Sequence, residues 1–168
     1  MRSFVDSFHV VGMRNAKFFA EDLFRESFAS EFPVPPEASN PSISTPRADW
    51  HQYVAFYKWS EANIEPVGFC NWIQHGDVYL EGGMCLRRNF YRRLPAPHWG
   101  ECKRRGGVAQ IMMETAAQKL DDCVAWFGHC GDKRAQLVLT RFGYQPTDRR
   151  YVIVKWFRDA CRAQARTH

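Results

Sequence analysis

"CKRRGGVAQIMMETAAQKL", Cys102 to Leu120, decides how the rest of the chain is read. Apolar residues at Ala109, Met112, Met113, Ala116 and Leu120 recur at helical spacing and predict a helix from about Arg105 to Leu120. Its start is unusual. Glycine weakens a helix by about 1 kcal/mol relative to alanine, and a cation in the first turn opposes the helix dipole. Lys103, Arg104, Arg105, Gly106 and Gly107 at such a start are therefore expected to serve a bound anion. Glycines let a ligand approach the backbone, the first-turn N–H groups point at it, and the cations neutralise it. The pattern is not a P-loop, because the GK[ST] ending is absent, and it is not GxGxxG, so nucleotide hydrolysis and dinucleotide binding are poor readings.

Working outward, the run "VYLEGGMCL" (78–86) precedes this segment and reads as a strand, with Gly82–Gly83 marking a β-bulge or the close approach of a ligand. "QYVAFYKW" (52–59) and "VGFCNWIQ" (67–74) are two further strands, joined by Ser60–Pro66, and Gln74–Asp77 is a tight turn before the third. Together they predict an antiparallel meander. Beyond the helix, "CVAWF" (123–127) is a short continuous apolar run, the pattern of a strand buried on both sides. A second helix carries Ala135, Val138, Leu139 and Phe142 and stops at Gly143, and "RYVIVKWF" (150–157) supplies a last strand. Nearer the N-terminus, Ala16, Phe19, Ala20, Leu23, Phe24 and Phe28 form the stripe of an amphipathic helix. "PVPPEASNPSISTPRAD" (33–49), with five prolines, is a long loop. The order predicts an α+β fold, a mixed sheet with helices on its faces, in one domain spanning 1–168.

The 168 residues suffice for one core. Six scattered cysteines without a CxxC pair read as reduced thiols of a cytoplasmic protein, and no stretch has the length or apolarity of a signal or a membrane span. The net charge of +5 is local: seven cations face Glu101 alone between Arg87 and Arg105, and the remainder of the chain is almost neutral. A local cationic segment indicates an anionic ligand, where a solvated basic loop is the alternative.

The spacing R-x-x-G-x-A, met by Arg104, Gly107 and Ala109, resembles the pyrophosphate-binding signature of the GNAT superfamily of acyl-CoA-dependent N-acyltransferases. "AQLVLTRFGY" (135–144) resembles that family's A-x-x-L-Y-x-K-x-G-F helix, and the element order agrees from Tyr53 to Trp156. The resemblance implies a mostly antiparallel sheet with a bulged strand that splays from the next one to admit the pantetheine arm. It implies acetyl-CoA or another acyl-CoA as co-substrate, with the backbone of Met84 and Leu86 pairing with the arm and Arg104, Arg105, Gly106, Gly107, Val108 and Ala109 holding the pyrophosphate. The sequence departs from the family in two places. "RRNFYRRLPAPHWGEC" (87–102) lengthens the connection before the signature, an insertion of about 88–103 that suits a substrate lid or a partner surface, and Leu139 occupies the position of the family's frequent general-acid tyrosine. Tyr144 stands where the family has an aromatic, and is expected to pack.

Acyl transfer to an amine needs a neutral nucleophile, and an amine with a pKa near 10.4 is protonated at pH 7. Glu81, before the double glycine, is the candidate base, the alternative being an exposed carboxylate paired with an arginine; His129, after the buried strand, is a weaker candidate. Cys130 as nucleophile would need an adjacent base, and Asp132 stands where the family often has a cofactor-binding asparagine. His98, Cys102, His129 and Cys130 lack zinc-site spacing, so no metal is assigned. The expected activity is transfer of an acetyl or other small acyl group to an amine acceptor, whether small molecule, protein or nucleobase. Competing readings are a nucleic-acid-binding or nucleic-acid-modifying relative, supported by Phe90, Tyr91 and Trp99 among the cations, and a non-catalytic CoA-binding module. The sequence leaves the acceptor, the general acid and the oligomeric state open.

Overall fold

Aromatic and β-branched runs between 50 and 86 form the predicted meander, β2 (Trp50–Ser60), β3 (Asn63–His75) and β4 (Val78–Leu86), paired antiparallel throughout. The structure, a computed structural model, describes residues 2–32 and 49–157. The expected loop at 33–49 lies outside them except for Asp49, as does Cys161. Ahead of the meander come a single turn, α1 (Phe4–Ser7), then β1 (Phe8–Met13) and α2 (Lys17–Phe28); after it come α3 (Phe90–Arg93), α4 (Ala96–Arg104), α5 (Val108–Ala117), β5 (Ala125–His129), α6 (Lys133–Phe142), β6 (Gln145–Pro146) and β7 (Val152–Trp156). The strands make one sheet in the order β1-β2-β3-β4-β5-β7-β6. All neighbours are antiparallel except β4 and β5.

The sheet has a core on each face because side chains alternate along every strand. Val54, Phe69 and Cys85 point to one face, where Ala20, Leu23 and Phe24 of α2 cover them. Tyr53, Ala55, Cys70, Trp72 and Trp126 point to the other, beneath Val108, Met112 and Ala116 of α5 and Leu139 and Phe142 of α6. Burial of each large side chain is worth about 1.5–3 kcal/mol, so these two layers carry the fold.

The segment 88–103 is itself folded. Phe90, Leu94, His98 and Cys102 are buried, and His98 joins α4 to the N-terminus: its Nδ1 meets the Tyr57 hydroxyl at 2.5 Å and its Nε2 the Arg2 carbonyl at 2.8 Å. Arg93 forks onto Glu65 at 2.9 and 2.7 Å, and the Trp59 indole donates to the same carboxylate at 2.8 Å. Burial opposes the charge on Glu65, but these donors outweigh it and hold its carboxyl below the usual range.

This corrects the reading of the opening stretch. Lys103 and Arg104 belong to the last turn of α4, where cations complement the dipole, and not to the first turn of the next helix. Helix α5 begins at Val108 rather than Arg105 and ends at Ala117. Gly106 and Gly107, at φ 84° and 91°, turn the chain between the two helices in a conformation that favours glycine.

Candidate active site

Strand β4 pairs with β5 only from Val78 to Leu80, opposite Ala125 to Phe127. Beyond Leu80 it runs on to Leu86 paired with β3 alone, so the two parallel strands part and leave a cleft. The cause is visible in the register: Trp72 pairs with Glu81 and Asn71 with Gly83, which leaves Gly82 as an extra residue, the bulge that the double glycine predicts. Gly83 has φ 124°. Gly82 is exposed, and a side chain there would run into the Asn71 amide at 2.5 Å. Met84 and Leu86 lie on the parted stretch, opposite Cys70 and Gly68 on β3, so their other edge faces the cleft.

Glu81 is the first residue past the last β4–β5 pair and stands at the apex of the cleft. Part of the residue reaches solvent, but its Oε2 is enclosed and accepts no hydrogen bond. Burial alone pushes its carboxyl up to about 7, with no cation offsetting it. The alternative of an exposed carboxylate paired with arginine does not describe it. Gly128 leaves room for it: a Cβ on Gly128 would lie 2.7 Å from Glu81 Oε2. The Trp72 indole N–H and the Tyr144 hydroxyl are also buried without a partner, and Tyr144 is close enough to Glu81 to feel its charge. Burial first, and then that charge, keep the Tyr144 hydroxyl well above its ordinary range. Tyr144 is thus packed, as expected. Trp72 was not expected in the site, and sequence offers no signal for it, because cross-strand register brings it there.

His129 does not share this enclosure. Since Gly128 faces Glu81, the next residue on β5 points to the opposite face, where His129 is exposed and meets the Tyr151 ring at 5.5 Å. The Cys130 thiol donates to the Asp132 carbonyl at 3.3 Å. Cys130 and Asp132 border a hollow of about 530 Å³ with Lys133, Arg149 and Arg150, and neither His129 nor Glu81 lines it. Leu139 is buried in the core.

At the start of α5 the first-turn donors are partly used. Gly107 N–H bonds the Cys102 carbonyl at 2.9 Å, Gly106 N–H the Lys103 carbonyl at 3.0 Å, and Val108 N–H the Tyr91 hydroxyl at 3.1 Å. The Ala109 and Gln110 amides remain, as second- and third-residue donors without an intrahelical acceptor. Arg87 and Arg93 are engaged by Glu26 and Glu65; Arg88, Arg92, Lys103, Arg104 and Arg105 are exposed and form no ion pair among the described residues. No helix among the described residues is long and apolar enough to cross a membrane.

The sequence matches no protein-family model and no curated protein. The fold does match solved structures. An acetyltransferase of the GNAT family from Staphylococcus aureus superposes with TM-score 0.56 at 10% identity, over 90% of this chain and 100% of that one. The ribosomal-protein-S18-alanine N-acetyltransferase of Escherichia coli gives 0.55 at 11%, over 89% and 94%. YhhK from Escherichia coli, solved bound to coenzyme A, gives 0.50 at 14%, over 89% and 98%. The chain has the GNAT fold.

Proposed function

We propose that the chain, as one GNAT-like domain, transfers an acetyl or other small acyl group from acyl-CoA to an amine. The observation that carries the reading is the parting of β4 from β5 directly at Glu81, a carboxyl poised near 7 at the apex of the cleft. The free edge of β4 at Met84 and Leu86 suits the pantetheine arm, and Arg104, Arg105 and the Ala109 amide suit the pyrophosphate. The turn at Gly106, Gly107 and Val108 contributes its shape more than its amides, which are already engaged. The fold matches, which include a coenzyme A complex of another protein, support the same co-substrate.

In this mechanism the amine nitrogen attacks the thioester carbonyl, its proton passes to Glu81, the new C–N bond forms and the C–S bond breaks. Coenzyme A leaves as a thiolate, which a thiol pKa near 8.5 makes tolerable without help from Leu139. A base with a pKa near the working pH is the efficient choice. The acceptor can be a small molecule, a protein amine or a nucleobase. The test is thiol release from acetyl-CoA mixed with panels of small amines, peptides and nucleosides. Acceptor-dependent release that falls about 10²–10⁴-fold in Glu81→Gln supports the reading, and the absence of both release and acetyl-CoA binding overturns it.

A second reading, nucleic-acid binding, draws on the five exposed cations free of ion pairs. It requires an affinity that falls steeply with salt and is indifferent to acetyl-CoA.

A further inference from the structure

Three buried polar groups from three parts of the chain meet behind the cleft apex. Trp72 on β3 lies directly across from Glu81 on β4, so their side chains share a face. Tyr144, which ends the turn after α6, is buried in the same core layer as Trp72, with the indole beside its hydroxyl, and is near enough to Glu81 to feel its charge. Trp72 is fully buried and Tyr144 is 3% exposed. The indole N–H, the phenolic O–H and Glu81 Oε2 each lack a well-aligned hydrogen bond, although the indole lies close to the Tyr144 hydroxyl. Leaving three such groups unsatisfied in one enclosure costs several kcal/mol, and two donors around one acceptor is what a single water molecule needs to bind.

We propose that Trp72 and Tyr144 are positioning residues that hold the Glu81 carboxylate through one shared, buried water. The indole and phenol orient that water, the water donates to Glu81 Oε2, and the ionised carboxylate is thereby kept available in a place that otherwise disfavours charge. The titratable groups that feel the Glu81 charge are the Tyr144 hydroxyl, itself one of the two donors, and the buried Cys70 thiol of β3, and both are neutral at pH 7. Tyr144 therefore has a polar task beyond packing, and so does Trp72. The inference deepens the acyl-transfer reading in its kinetic consequence, whereas the water-linked cluster is a property of the free protein.

The test is a carbon-detected NMR titration of Glu81, assigned by loss of its signal in Glu81→Gln, in the full chain without ligand. Removing the phenolic O–H in Tyr144→Phe takes away support for the charged form, so the Glu81 midpoint should rise by roughly 1–2 pH units, the size of one hydrogen bond to a charged group. In the unsubstituted chain the Trp72 indole proton should shift with the Glu81 midpoint, and in Glu81→Gln it should stop doing so; this arm does not depend on the stability of the tyrosine variant. Equal midpoints in the parent and a folded Tyr144→Phe, or an indole proton indifferent to Glu81, overturn the proposal. If the chain also turns over acetyl-CoA, the pH profile of kcat/KM in Tyr144→Phe should move by the same amount. A coupled titration without any turnover leaves the cluster standing and contradicts only the acyl-transfer reading.

Discussion

Glu81 is one residue whose setting makes two measurable demands. As a base with its carboxyl near 7, it is ionised above that pH and protonated below it, so kcat/KM of the parent should rise through about pH 7. In Glu81→Gln only the fraction of amine that deprotonates by itself reacts. Below pH 7 both rates fall tenfold per unit, and the deficit of the variant is constant; above pH 7 the parent levels off and the deficit shrinks. A deficit that is the same at every pH would assign Glu81 to substrate positioning instead. Stability should respond in the opposite sense. The folded carboxyl keeps its proton to about pH 7, whereas the unfolded one loses it near 4.5. The stability that burial of the neutral form confers is therefore complete below about 4.5 and is lost as pH rises through 7. Glu81→Gln cannot ionise, so its Tm relative to the parent should be higher at pH 8 than at pH 5, as thermal unfolding at the two values would show. Gly128→Ala reaches the same carboxylate from β5: its Cβ would lie 2.7 Å from Oε2, so the variant should fold but lose activity through a displaced base.

At the scale of elements, the insertion is an anchored part of the fold. Glu65 receives Arg93 and the Trp59 indole, and Arg93 also lies over the Trp59 ring at 4.4 Å, fixing α3 to the sheet. Glu65→Ala leaves those donors without their acceptor and should cost about 1–3 kcal/mol in denaturant unfolding. Between α4 and α5, Gly106→Ala combines φ 84° with a Cβ 2.7–2.9 Å from the Gln110 side chain, and should cost about 1–3 kcal/mol. These two helices also mark where sequence reading ran short. β4 was legible to the residue, because its β-rich composition and double glycine act locally. In sequence the cations before Gly106 look like the start of one helix, although they end another, because α4 has a short and weakly apolar face that is buried through His98 and Cys102 against distant partners. Glu81 is singled out in the sequence by its place beside the double glycine, and the bulge there is what the structure has. Trp72 and Tyr144 carry no such signal, because a tryptophan in a strand and a tyrosine after a helix look like packing until the register sets Trp72 across from Glu81.

For the whole molecule, the sheet order and the single parallel pair create the one feature on which the functional account depends, a cleft that opens between β4 and β5 at Glu81. If acyl-CoA is what that cleft receives, its arm must run along the parted edge of β4 and its phosphates must reach the start of α5. Titration of the ¹⁵N-labelled chain with coenzyme A, followed amide by amide, reads this directly. The account predicts saturable shifts at Gly82 to Leu86, at Phe127 and Gly128 across the cleft, and at Ala109 and Gln110 on α5. Shifts confined to the exposed cations around Arg88 and Arg92, or no shifts at all at millimolar coenzyme A, would contradict it.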